Sequence, residues 1–113
     1  MNHLALVACD VPGMERFYRD YFGFQPGWGP GFLLDDRGFL LSIEQVEVPP
    51  EIPPWLHHGF HLASRSELLA LHERMRENGV PIVDAVKEQG TTVVFFCRDP
   101  GGYLVEVRAR AAP

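Results

Sequence analysis

Pro49-Pro50-Glu51-Ile52-Pro53-Pro54 places four prolines in six residues. Proline has no N–H to give to a ladder or a helical turn, so neither a central strand nor a helix interior accommodates such a run. Residues 49–56 therefore read as a stiff linker, and what flanks it reads as one pattern written twice. Upstream, residues 3–9 (HLALVAC) are an apolar run closed by Asp10-Val11-Pro12-Gly13, the signature of a buried strand ending in a turn. Met14, Phe17, Tyr18, Tyr21 and Phe22 then recur at helical spacing, with Pro12 near the start and Gly23 at the end. Gly and Pro dominate residues 26–31. Residues 32–34 and 39–43 are apolar runs split by Asp35-Asp36-Arg37-Gly38, a hairpin signal.

Downstream the order recurs. Residues 57–63 read as a strand, and Ser64-Arg65-Ser66-Glu67 is a capping box that opens a helix stopped by Gly79. Residues 81–86 fit a short strand. Residues 91–97 and 103–108 fit a hairpin around Asp99-Pro100-Gly101-Gly102. An internal repeat of this kind is the most informative organisational feature of the chain. Each half is too small to hold a core alone, so two must pack together, within one chain or across a dimer. The expected organisation is a single domain over 1–113, with module one at 1–48 and module two at 57–113.

Composition narrows the function classes. The chain has 113 residues, 46% hydrophobic and 22% charged, the balance of a folded soluble protein. No apolar run approaches the roughly 20 residues that span a bilayer, and no secretory signal is visible, so the expected location is the cytoplasm. Net charge is −5 and the basic residues are scattered apart from Arg108 and Arg110, which argues against nucleic acid or an anionic membrane as partner. Cys9 and Cys97 lie in strand-like surroundings and read as free, small buried hydrophobes.

Strand side chains alternate faces. His3 shares a face with Ala5, Val7 and Cys9, His57 with Gly59 and His61, and Glu106 with Leu104 and Arg108. If each half presents one concave face, His3, His57 and Glu106 aim at a common point. Two imidazoles and a carboxylate suit a divalent transition metal and leave positions open for water or substrate. Spacing alone does not establish this, since no two of the three lie on one element. Taken bare, each histidine reads as an ordinary surface or core residue.

The sequence resembles the vicinal oxygen chelate superfamily, which includes glyoxalase I, bleomycin-resistance proteins, fosfomycin-resistance enzymes and extradiol dioxygenases. The resemblance rests on residues 2–7 (NHLALV), 17–24 (FYRDYFGF), 57–62 (HHGFHL) and 96–107 (FCRDPGGYLVEV), and covers nearly the whole chain. It implies an α+β fold of two βαβββ modules forming a curved, barrel-like mixed sheet with the helices outside. It also implies metal ligands at His3, His57 and Glu106, with Glu106 the catalytic residue, and one divalent ion: zinc, iron, manganese or nickel. Some members carry a fourth ligand on the last strand of module one. Aligning Gly38 with Gly102 puts Ser42 there, with Glu44 two residues on. Where some members place a functional tyrosine, this chain has Phe96, and the turn reads DPGG rather than DPDG.

Four further residues are candidates for substrate contact. His61 shares a face with His57, but four residues of strand span about 13 Å, so the two do not bind one ion. Arg108 suits an anionic substrate or a pair with Glu44, but reads first as an exposed strand-end arginine. Trp55 lies two residues before His57, as a cavity aromatic or as a plug for the proline hinge. Phe96, with Ala5 and Val94, would give the pocket an apolar wall. His58 points the other way and reads as structural, and His72 as exposed on its helix. The expected function is that of a small metal-dependent enzyme, with isomerase, lyase, thiol transferase and dioxygenase chemistry all open. It would act on a small oxygen-bearing substrate and work as a homodimer. The rival is a metal-free protein that sequesters a small molecule or drug.

Overall fold

The computed structural model describes residues 1–112; Pro113, the last residue of the expected second module, lies outside the described residues. The chain divides into two compact units, Met1–Glu51 and Ile52–Pro113. In chain order the elements are β1 (His3–Ala8), α1 (Val11–Phe22), β2 (Gln25–Gly29), β3 (Phe32–Leu34), β4 (Leu40–Gln45), β5 (His57–His61), α2 (Arg65–Glu77), β6 (Ile82–Gln89), β7 (Thr92–Arg98) and β8 (Leu104–Arg110). Each unit is thus a βαβββ module. The first sheet has the order β1-β4-β3-β2 and the second β5-β8-β7-β6. In both, the first and last strands pair in parallel and the remaining pairs are antiparallel.

The strands do not form the expected barrel-like sheet. They form two separate four-stranded sheets, and neither closes: β1 and β2 are the free edges of one, β5 and β6 of the other. Closure requires the last edge to hydrogen-bond the first, and four twisted strands are far fewer than the roughly eight that close around a filled interior.

Both hairpins are built by the same device. Asp35 Oδ1 accepts from the backbone N–H of Arg37 and Phe39, at 2.9 and 2.7 Å. Asp99 Oδ1 accepts from those of Gly101 and Tyr103, both at 2.9 Å. The backbone repeats too, with Gly38 N–H donating to Asp35 O and Gly102 N–H to Asp99 O. Both glycines have positive φ, 81° and 86°, which a side chain would strain. An aspartate that satisfies two turn amides fixes where each hairpin reverses, and with it the register of the strand that follows.

In the second unit α2 begins at Ser64, which accepts from Glu67 N–H, as the capping box requires. Its buried face, Leu68, Leu71 and Met75, packs on the sheet face made by Val93, Phe95 and Cys97 of β7 and Val105, Val107 and Ala109 of β8. The alternate residues of β7 and β8 point to the opposite face. In the first unit Met14, Phe17 and Tyr18 of α1 are buried along with Leu33, Leu41 and Ile43 of its sheet. Each helix covers one face of its own sheet. Among the described residues no helix is long and apolar enough to cross a membrane.

Candidate functional site

The face of the second sheet turned away from α2 is set by strand register. His57 pairs with Leu104, Gly59 with Glu106 and His61 with Arg108 across β5 and β8. On the other side of β8, Phe96 pairs with Glu106 and Val94 with Arg108. Cross-strand partners share a face, so β8 carries Glu106 and Arg108 between the histidines of β5 and the aromatic ring of Phe96.

His57 and Glu106 meet at the centre of this face. His57 Nε2 stands 3.7 Å from Glu106 Oε1. The other ring nitrogen, Nδ1, is 3.2 Å from the carbonyl oxygen of Trp55. A carbonyl accepts, so this bond places a proton on Nδ1 and turns Nε2 toward Glu106. The Phe96 ring packs edge-on against the imidazole at 5.6 Å and limits its rotation. Gly59 makes the close approach possible: a Cβ there would lie 2.7 Å from Glu106 O and 2.9 Å from Glu106 Cβ.

Glu106 is also gripped from its other side. Arg108 Nε donates to Oε2 at 3.3 Å and Nη2 to Oε1 at 3.2 Å. The same guanidinium donates to Thr92 Oγ1 at 2.7 Å and to Gln89 Oε1 at 2.8 Å. Its partner is therefore Glu106 rather than the solvent expected for a strand-end arginine. Sequence reasoning misses Thr92 and Gln89. The only signal for them is their place at the β6–β7 turn, opposite the end of β8.

His61 is exposed and lines, with Arg108, a cleft of about 450 Å³ at the end of the sheet. Trp55 is 74% exposed, and it is its carbonyl rather than its ring that meets His57. His3 belongs to the first unit; it is exposed at the start of β1, with Nδ1 2.7 Å from Asn2 Oδ1. Register in that unit pairs Ala5 with Ser42 and Val7 with Glu44. Ser42 thus takes the place in module one that Glu106 takes in module two, and Glu44 that of Arg108.

His58 does point to the helix side, among Phe60 and Tyr103. Burial, and then the neighbouring His57, lowers its pKa to about 4, so it is neutral at physiological pH. His72 is half-buried rather than exposed, its ring edge-on to Phe95 at 5.0 Å. Of the two thiols, both free, Cys97 is buried and Cys9 is exposed, against the expectation that both are buried.

The donor chemistry of the pair fits a divalent cation. Nitrogen and oxygen ligands each about 2.0–2.2 Å from one ion stand roughly 3–3.5 Å apart, so 3.7 Å needs only a small side-chain adjustment. Among the described residues no group of three His, Cys, Asp or Glu side chains is gathered for a metal. The second unit by itself brings together two donors, His57 and Glu106.

Comparison with known proteins agrees with this architecture. The model of the Glyoxalase/Bleomycin resistance protein/Dioxygenase superfamily matches residues 1–107. A solved structure described as a possible glyoxalase from Bacillus cereus is 27% identical with a TM-score of 0.77, over 95% of this chain and 96% of its own. A fosfomycin resistance protein from Listeria monocytogenes is 21% identical with a TM-score of 0.81, over 96% and 91%. A lactoylglutathione lyase from Agrobacterium tumefaciens is 21% identical with a TM-score of 0.70, over 96% and 92%. At that identity the last two share the fold. No curated protein matches the chain.

Proposed function

The chain belongs to the Glyoxalase/Bleomycin resistance protein/Dioxygenase superfamily, and on that footing we propose that it is a metal-dependent enzyme acting on a small oxygen-bearing substrate. In this reading His57 and Glu106 hold the ion, and His3 of a first module is the third ligand in a cytoplasmic homodimer. The two modules act as one domain. The observation that carries the reading is the approach of His57 Nε2 to Glu106 Oε1 at 3.7 Å, with Nδ1 tied to a carbonyl so that Nε2 is the nitrogen turned to the site.

When bound, a divalent ion with open positions supplies Lewis acidity to substrate oxygens. The chain's own residues do the rest. Phe96 holds the His57 ring and gives the site an apolar wall. Arg108 orients the Glu106 carboxylate, and Glu106, beside the substrate, is the group placed to accept a proton from it. Trp55, exposed beside His57, is available to lie over a bound molecule.

A second reading has one observation in its favour. Arg108 already neutralises both oxygens of Glu106, as a metal-free site requires, and a sequestering protein for a small molecule fits that arrangement. Calorimetric titration of chelator-treated protein with zinc, manganese, nickel and ferrous ions separates the two. Saturation near one ion per chain supports the enzyme reading. Absence of binding for all four supports the sequestering protein.

A further inference from the structure

We propose that the cleft at the end of the second sheet is an oxyanion site, and that the substrate of the neighbouring centre is a small molecule bearing a carboxylate or phosphate-type group. The cleft holds about 450 Å³, and its polar wall is His61, Thr91, Thr92, Arg108 and Arg110. The rest of the wall is apolar, and no carboxylate lines it. That composition is the reverse of the whole chain, which has fifteen acidic residues and ten basic ones. With Arg108 paired to Glu106, Arg110 is the cation of this lining left without a carboxylate among the described residues, and in a concave, partly apolar place it attracts an anion against the average repulsion of the molecule.

The donors divide into held and free. Arg108 is fixed by Glu106, Thr92 and Gln89, which engage four of its five N–H groups and leave it as the rigid floor of the cleft. Thr92 is already engaged, since its hydroxyl accepts from Arg108 and donates to Gln89 O at 2.8 Å. Arg110 and His61 are exposed, and neither pairs with a carboxylate among the described residues. Register sets His61 opposite Arg108 and Arg110 opposite Thr92, so the free donors flank the held one. The Arg110 guanidinium and the His61 imidazole are donors that suit the two or three oxygens of a carboxylate or phosphate group.

Position gives the substrate its size. Arg108 lies two residues beyond Glu106 on the same face of β8, a step of about 7 Å. A molecule anchored in the cleft by its anionic end reaches the His57–Glu106 pair across a short carbon chain. The identity of the anion as part of a substrate rests on the proposed centre, whereas binding in the cleft does not.

The test is a nuclear magnetic resonance titration of chelator-treated, metal-free protein with sodium phosphate and, separately, sodium acetate, at ionic strength held constant with chloride. The expected result is saturable shifts of the Thr91, Thr92 and Arg110 amides and of the His61 ring with one or both anions. Affinity should fall about fivefold or more in Arg110→Gln and in His61→Gln, but not in Arg74→Gln, which removes the same charge from α2. The amide spectrum of each variant reports its folding directly. Shifts that do not saturate, or equal weakening in Arg110→Gln and Arg74→Gln, would overturn the proposal. Because no metal is present, failure here is independent of failure of the metal centre, which metal stoichiometry reports.

Discussion

Arg108 holds both carboxylate oxygens of Glu106, Oε2 through Nε at 3.3 Å and Oε1 through Nη2 at 3.2 Å. The pair is partly buried, with side-chain exposures of 22% and 17%, so the charges are less screened than a surface pair. A divalent ion on the same carboxylate would meet that guanidinium as a like charge within a few ångströms. Arg108→Gln is therefore expected to tighten zinc or manganese binding, by about tenfold or 1.4 kcal/mol, an effect of the size such proximity allows. Calorimetric titration of the variant beside the unaltered protein checks it, and weaker binding in the variant would show that Arg108 serves chiefly to position Glu106.

Gly59 leaves no room for a side chain. A Cβ there would come 2.7 Å from the backbone oxygen of Glu106, and backbone does not yield as a flexible side chain does. Gly59→Ala is expected to destabilise the protein by about 1–3 kcal/mol, the cost of overpacking. For a chain of this size that lowers the melting temperature by several degrees, and Gly59→Val should lower it further. Unchanged melting in both variants would show that β5 moves away freely.

The turn aspartates differ in burial although their bonds are alike. Asp99 is only 4% exposed while Asp35 is half-buried. Removing Asp99 leaves two turn amides, one of them buried, without an acceptor, so Asp99→Ala should cost about 2–4 kcal/mol. Asp35→Ala should cost less, because water reaches its amides. Chemical denaturation of the two variants gives the comparison, and the reverse order would contradict it.

Burial, and then Asp99, pushes the Cys97 thiol up to about 12 from an ordinary value of 9. The folded state therefore keeps its proton where the unfolded state releases it. The corresponding stability is intact below pH 9 and is lost as pH rises from 9 towards 12, by about 2–3 kcal/mol at pH 11. Cys97→Ala should remove that part of the alkaline loss. In native protein a thiol reagent should label Cys9 quickly and Cys97 only on unfolding. Equal labelling rates would contradict the burial of Cys97.

Much of the fold is legible in the chain. The proline run, the capping box at Ser64 and the matched Asp…Gly turns each reflect local chemistry that sequence displays directly. β2 is not legible, because Pro26, Gly27 and Gly29 argue against a strand; as the edge of its sheet β2 tolerates them. β6 runs on to Gln89 rather than ending near residue 86, since an edge strand accepts the charges of Lys87 and Glu88. The barrel-like sheet fails as an expectation because closure is a property of edges, which periodicity does not reveal.

At the site, strand alternation sets His57 and Glu106 on one face. Alternation does not reveal the Arg108 grip. Residues two apart on a strand stand about 7 Å from one another, and the contact forms only because a long side chain folds back under the hold of Thr92 and Gln89.

The metal centre itself is tested most simply by the metal content of protein purified without added metal or chelator, beside His57→Ala and Glu106→Ala. Far-ultraviolet circular dichroism confirms that each variant is folded. A centre built on His57 and Glu106 predicts about one divalent ion per chain in the unaltered protein and its loss in both variants. Metal absent from all three, even after reconstitution, or retained in both folded variants, would contradict it.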